Sequence, residues 1–309
     1  MRAESDLKFR ISNLRFIPYP FLIMTPAGKL LAQRLRASFA EEVARTDESI
    51  RLDRAALLIA AEDEVYKNLD VGEYLARLDK LGEMARARIN DSTGAGGVEA
   101  FNHFMFEEMG FAGNQLDYYD PRNSFLNQVI DRRMGIPITL SILYMETGRR
   151  AGLRVEGISL PSHFIVRARY GDASEVTLVD PFHGTTLSLE DCQDRLDTIY
   201  DGQVLLTEEH LRPATKREIL ARMLTNLKLI YAQAKTYRQA VAIVERIQLV
   251  TPGAISEHRD RAALLMQLDR LPEAIKETEI YLRLAPKAPD ADEVRERLHL
   301  LQRQQAMRN

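Results

Sequence analysis

The stretch GIPITLSILYMETGRRAGLRVEGISLPSHFIVRARYGDASEVTLVDPFHG, residues 135–184, decides the fold. It reads as a buried helix, a strand and then a hairpin. Pro137 has no N–H to donate, and its fixed φ suits the first position of a helix. Ile138, Leu140, Ile142, Leu143, Tyr144 and Met145 follow, with only Thr139 and Ser141 polar in the first two turns. A helix apolar on nearly every side belongs in a core. Glu146, Gly148, Arg149 and Arg150 return it to water, and Gly152 suits a left-handed stop.

Past that stop, Leu153–Ile158 is expected as a strand. Residues 163–169 and 176–179 are β-rich runs flanking Gly171-Asp172, a dipeptide suited to a type II′ turn. A hairpin centred on that dipeptide sets His163 directly opposite Asp180, on one face, at its open end. A carboxylate beside an imidazole fixes the ring tautomer and stabilises the imidazolium form. The pair makes two members of a nucleophilic triad. A purely structural hydrogen bond is the competing reading, because buried polar groups are paired whether or not they do chemistry.

On these residues the chain resembles the transglutaminase-like (papain-type) core. That core opens a buried helix with a Cys, ends it at a Gly, and then carries a His-hydrophobic element and an Asp-Pro element on successive strands. His163-Phe164 and Val179-Asp180-Pro181 match the last two elements, but the position where the resemblance implies the Cys holds Pro137. Within that superfamily the chain is similar to the SirB-type family of bacterial proteins, a transglutaminase-like domain followed by tetratricopeptide repeats. The ordered series is Gly110-Phe111 with Asn114, Tyr118-Tyr119-Asp120-Pro121, Asn123-Ser124-Phe125-Leu126-Asn127, Gly135-Ile136-Pro137, Pro161-Ser162-His163-Phe164 and Asp180-Pro181-Phe182. The resemblance implies an α+β domain of helices and antiparallel sheet over 51–212, and it makes loss of the Cys a family trait. An N-terminal arm, partly flexible, would occupy 1–50, and tetratricopeptide-like repeats with a capping helix would occupy 213–309.

Composition narrows the classes further. At 309 residues, with 45% hydrophobic and 28% charged residues, this is ordinary globular material with room for two domains. A net charge of −3 argues against general nucleic-acid binding, which shows a basic excess. The single cysteine, Cys192, excludes an intrachain disulfide framework and fits a reducing cytoplasm. No window has the length and apolarity of a membrane span, and 7–24 lacks the pattern of a secretory signal.

Before residue 135 the pattern is helical. Residues 1–24 show no clean period, and an amphipathic helix follows over 26–45. Core helices are expected over 52–64, Val71–Ile89 and 98–109, the last ended by Gly110. Asp120-Pro121-Arg122-Asn123-Ser124 reads as a turn and helix start, with Asn123 or Ser124 as cap. The alternative for Asn123 is an amide directed into the His163 site. After Leu211-Arg212-Pro213 only helices remain. Tyr237 and Leu271, Ala240 and Ala274, and Pro252 and Pro286 recur with the 34-residue period of tetratricopeptide repeats. Helix pairs are expected at 218–234 with 237–250 and at 256–268 with 271–284, then a cap over 289–304. So short an array is expected to dock on the first domain or to form a homodimer.

Three functions compete. In the first, His163 and Asp180 are the remnant of an active site, and the chain binds a protein or peptide partner, with 213–309 presenting a groove. In the second, a hydrolase or amidase uses Ser141 or Thr139 as nucleophile with His163 and Asp180. Ser141 lies one turn from Pro137, about 6 Å away along the axis, whereas attack needs atoms within about 3–3.5 Å. The third, a transcriptional regulator, has no helix-turn-helix or zinc pattern behind it. Cys192 is off the nucleophile position and reads as a small buried hydrophobe. His103, His183, His210, His258 and His299 show no metal-ligand spacing, so no metal and no cofactor are assigned; His183, close after Asp180, reads as a loop residue, with the rim of the pocket as the alternative.

Overall fold

The computed structural model describes residues 26–66, 68–161, 163–171 and 176–308. Residues 1–25, Ser162 of the histidine motif and Asp172 of the hairpin dipeptide lie outside them. The chain forms two compact units that divide between Leu220 and Ala221.

The first unit is a helical layer against a four-stranded antiparallel sheet. Helix α1, Pro26–Val43, buries Phe39 and Val43, and its buried Glu42 accepts from the Arg51 N–H at 2.7 Å and from Arg54 at 2.8 Å. Helices α2, Leu52–Ala61, and α3, Val71–Ile89, follow. The third expected helix divides: α4 is Ala95–Asn102, and His103–Glu108 continues as a π-helical turn. That turn lets Phe101 and Phe106 both meet Tyr144, at 4.7 and 5.9 Å between ring centroids. Tyr144 is wholly buried, and its hydroxyl donates to Asn102 Oδ1 at 2.6 Å.

The central helix lies in this core. After α5, Leu126–Arg132, helix α6 runs Pro137–Ala151 with every residue from Pro137 to Tyr144 buried. It stops at Gly152, whose φ of 104° is a conformation that side chains rarely adopt. Two short parallel strands, β1 at Ala112–Gly113 and β2 at Met134–Gly135, precede it. The main sheet follows in sequence order: β3 Leu153–Ile158, β4 Ile165–Tyr170, β5 Thr177–Asp180 and β6 Thr185–Leu187. Val166 and Ala168 turn inward and are buried, while Arg167 faces out to pair with Glu156 at 2.8 Å. Ile158 and Ile165 share that outer face, where Cys192 of helix α7, Leu189–Tyr200, packs on them.

The hairpin register corrects the sequence reading. Val166 pairs with Val179 and Ala168 with Thr177, an offset of two residues, so the residue opposite Asp180 is Ile165 and not His163. Side chains alternate with period 2, so an even offset leaves His163 and Asp180 on the same face, one step apart along the strand.

Segment 213–220 belongs with the first unit, although the expected boundary lay before it. Ala214 N–H donates to Gly157 O at 2.8 Å, and Lys216 Nζ donates to the carbonyls of Glu48 and Ile50 at 2.8 and 2.6 Å. Ile219 packs over Gly157. Helix α8, Lys216–Gln233, thus begins in one unit and ends in the other.

The second unit continues with α9 Tyr237–Val250, α10 Ser256–Gln267, α11 Leu271–Leu284 and α12 Ala291–Ala306. Ala240 and Ala274, one period apart, are both fully buried, as small residues must be where helix backbones approach closely. Lys228 joins α8 to α10 by donating to Glu257 at 2.7 Å and to Asp260 at 2.8 Å.

Two tests of these forces follow. Arg154 and Arg169 stand directly opposite each other on β3 and β4, and neither has a carboxylate partner among the described residues. Like charges so placed are destabilising, so Arg154→Thr should stabilise the first unit by about 0.2–1 kcal/mol in chemical denaturation. Arg150 Nη2 lies 2.5 Å from the buried Asp53 carboxylate. Burial alone would raise the Asp53 carboxyl, but Arg150 and Arg51 outweigh it and hold it below its ordinary value. Arg150→Met should therefore destabilise by about 3–5 kcal/mol near neutral pH. Because the Asp53 value is lowered on folding, that difference should shrink as pH falls below 3.8 and through the lowered value.

Candidate functional site

The site is assembled around one carboxylate. Asp180 ends β5 with no exposure to water. A buried charge is tolerated only with good partners, and three segments supply them. Oδ1 accepts from the backbone N–H groups of Phe182 at 2.9 Å and His183 at 3.3 Å. Oδ2 lies 3.0 Å from His163 Nε2, 2.7 Å from His183 Nδ1 and 2.7 Å from Arg195 Nη1. Burial pushes the carboxyl up, but hydrogen bonds and charge from His163, then His183 and Arg195, override it and hold Asp180 far below the usual carboxylate range. It is ionised at any physiological pH.

Local sequence explains each position. The Asp-Pro-Phe-His-Gly run closes a tight turn, with Gly184 N–H donating to Asp180 O at 2.8 Å. His163 precedes β4 in a turn closed by its own N–H on Leu160 O at 3.2 Å. Arg195 arrives on α7, which starts at a reciprocal cap: the Ser188 hydroxyl accepts from Asp191 N–H at 3.1 Å, and Asp191 accepts from Ser188 N–H at 2.7 Å. Cys192 on the same helix holds that helix to the sheet.

An aromatic wall flanks the carboxylate. The Phe182 ring meets His183 at 5.0 Å, His163 at 6.5 Å and Tyr118 at 5.9 Å, all edge to face. Phe182 is tied to the start of α6 through the short strands. Its carbonyl accepts from Gly113 N–H at 2.9 Å, Gly113 pairs with Gly135, and Asn114 N–H donates to Gly135 O at 3.0 Å. A Cβ on Gly113 would stand 2.5 Å from the Phe182 ring, so only glycine permits this approach.

The other candidate residues serve different ends. Asn123 does not cap a helix. Asp120 caps the 3-10 turn Pro121–Ser124 by accepting from Arg122 N–H, and Phe125 takes the cap position of α5. The buried Asn123 amide instead donates to Asp117 O at 2.7 Å and accepts from Asn114 Nδ2 at 3.1 Å, which leaves it directed into the 114–118 loop and not at His163. Thr139 Oγ1 donates to Asn123 O at 2.6 Å and accepts from Ile136 N–H at 3.2 Å. Ser141 Oγ is buried and has no hydrogen-bond partner among the described residues. Pro137 is buried at the helix start. Cys192 is wholly buried, and desolvation pushes its thiol up. Sequence reasoning missed two members of the site, His183 and Arg195. The Asp180-x-x-His183 spacing was a signal for the first; only the packing of α7 reveals the second.

Comparison with known proteins agrees with this architecture. Residues 72–225 match the model of the transglutaminase-like superfamily, and residues 227–299 match the tetratricopeptide repeat model. A UPF0162 protein of Xylella fastidiosa (strain Temecula1) is 34% identical over 254 residues, 81% of this chain and 89% of that protein. A UPF0162 protein of Pseudomonas aeruginosa is 30% identical over 218 residues, 71% of this chain and 78% of that one. Human F-box only protein 21 shares 34% identity over 103 residues, 31% of this chain and 16% of that protein. No solved structure matches the chain at a significant level. Among the described residues, no helix is long and apolar enough to cross a membrane. With its transglutaminase-like domain followed by tetratricopeptide repeats, the chain belongs to the UPF0162 family.

Proposed function

We propose that this chain is a non-catalytic, SirB-type member of the transglutaminase-like superfamily that acts by binding protein or peptide partners. One observation carries the reading: among the described residues the His163 ring is hydrogen-bonded to Asp180 and to no hydroxyl or thiol. A general base must contact the group it deprotonates, directly or through one water. His163 Nε2 faces Asp180, Pro137 stands where the resemblance implies the Cys, and Cys192 is sealed in an apolar cluster. The hydrolase reading is weakened residue by residue. The Thr139 hydroxyl is committed to Asn123 and Ile136, and Ser141 is buried in the helix, with no hydrogen-bond partner among the described residues. The repeats at 227–299 support a partner-binding role, since such arrays generally present protein-binding surfaces.

The test uses the full chain. Fluorogenic amide and ester substrates should show no turnover above that of His163→Ala. Immobilised protein should hold one reproducible set of partners that Cys192→Ala and Ser141→Ala leave unchanged. Turnover abolished by both His163→Ala and Ser141→Ala would replace this reading with the hydrolase.

A further inference from the structure

We propose that His163, Asp180 and His183 form a binding site for a divalent transition-metal ion. One ligand atom from each of His163, His183 and Asp180 lies within 4.8 Å of the other two. An ion held by nitrogen and oxygen donors at about 2.0–2.2 Å sets neighbouring donors roughly 3 Å apart or slightly more. The two imidazoles already stand 3.0 and 2.7 Å from the carboxylate oxygen, so small ring rotations bring all three donors onto one centre.

The crowding at Oδ2 is the second observation. One carboxylate oxygen offers about two lone-pair sites, yet three nitrogens, from His163, His183 and Arg195, converge on it. Without an ion, each imidazole must carry a hydrogen on the nitrogen that faces the oxygen. With an ion, both rings present lone pairs, and the oxygen shares one cation in place of competing N–H groups. The carboxylate is also prepared as a ligand. Oδ1 is fixed by the backbone N–H groups of Phe182 and His183, which aims Oδ2 at the rings. Partners of this kind orient metal ligands and tune their affinity.

Donor chemistry narrows the ion. Two imidazoles and one carboxylate suit zinc or iron(II), whereas magnesium and calcium prefer oxygen donors and copper(I) prefers sulfur. Three protein ligands leave coordination positions open. The His183 side chain is 41% exposed, which puts those positions within reach of solvent. Arg195 is the opposing feature, a guanidinium on the same oxygen with its side chain 26% exposed. It must release Oδ2 for the ion to enter, so it lowers affinity by competition. The inference is independent of partner binding; a chain that holds partners but no metal overturns only this proposal.

The experiment is calorimetric titration of the chelator-treated full chain with Zn2+, with metal counted by mass spectrometry and Co2+ as the absorbance probe. One equivalent should bind. His183→Ala, half-exposed and so expected to fold, should weaken binding at least about tenfold, the scale reported even for loss of an outer partner of a ligand. His163→Ala should act in the same direction, and folding of each variant is checked by circular dichroism. Arg195→Gln should bind more tightly than the wild type. Binding that is absent from the wild type, or unchanged in folded His183→Ala, overturns the site. So does a loss in Arg195→Gln as large as that in His183→Ala.

Discussion

The negative charge of Asp180 is the constraint from which the rest of this domain can be understood. A carboxylate removed from water must be surrounded by donors, and this one gathers them from the turn that follows it, from the chain before β4 and from α7. Each donor fixes a segment. The backbone N–H groups close the Asp-Pro-Phe-His turn, His163 pins the entry to β4, and Arg195 draws α7 across the outer face. Phe182, positioned by that turn, then reaches the strands that precede α6. The site and the fold share one set of hydrogen bonds, so a substitution at Asp180 would disturb both.

That sharing gives the carboxylate a role apart from any chemistry. In a working triad the aspartate orients a histidine whose second nitrogen faces the nucleophile. Here α6 starts with Pro137, and the Thr139 hydroxyl two residues on is taken up in capping that helix. The carboxylate organises these segments independently of any attacking atom. Buried polar groups persist for structural reasons as readily as for catalytic ones.

Much of this was legible in the sequence because it depends on local pattern. The apolar run after Pro137, the stop at Gly152 and the 34-residue recurrence of Ala240 and Ala274 are consequences of helix geometry, and they mark the same elements in the structure. What stayed hidden depends on packing. The hairpin register differs by two residues from the expected one, a shift that leaves each side chain on its own face and so leaves no trace in the alternation of the sequence. The π-helical turn at His103–Glu108 has no pattern of its own, since it answers to the position of Tyr144. Asn123 looked like a cap because its type favours caps, yet Asp120 holds that position and frees Asn123 to bridge the loop. Arg195 could not be placed beside Asp180 until α7 was docked.

The burial of the chain's one cysteine has a practical side. Thiol-reactive probes attack the thiolate, and Cys192 combines zero exposure with a thiol pushed toward its protonated form. The native chain is in effect a blank background for maleimide chemistry. A cysteine introduced at an exposed position on either unit would carry a fluorophore or spin label alone, with no native residue to remove first. Distances between chosen points could then be followed in solution while every side chain around the Asp180 cluster remains as it is.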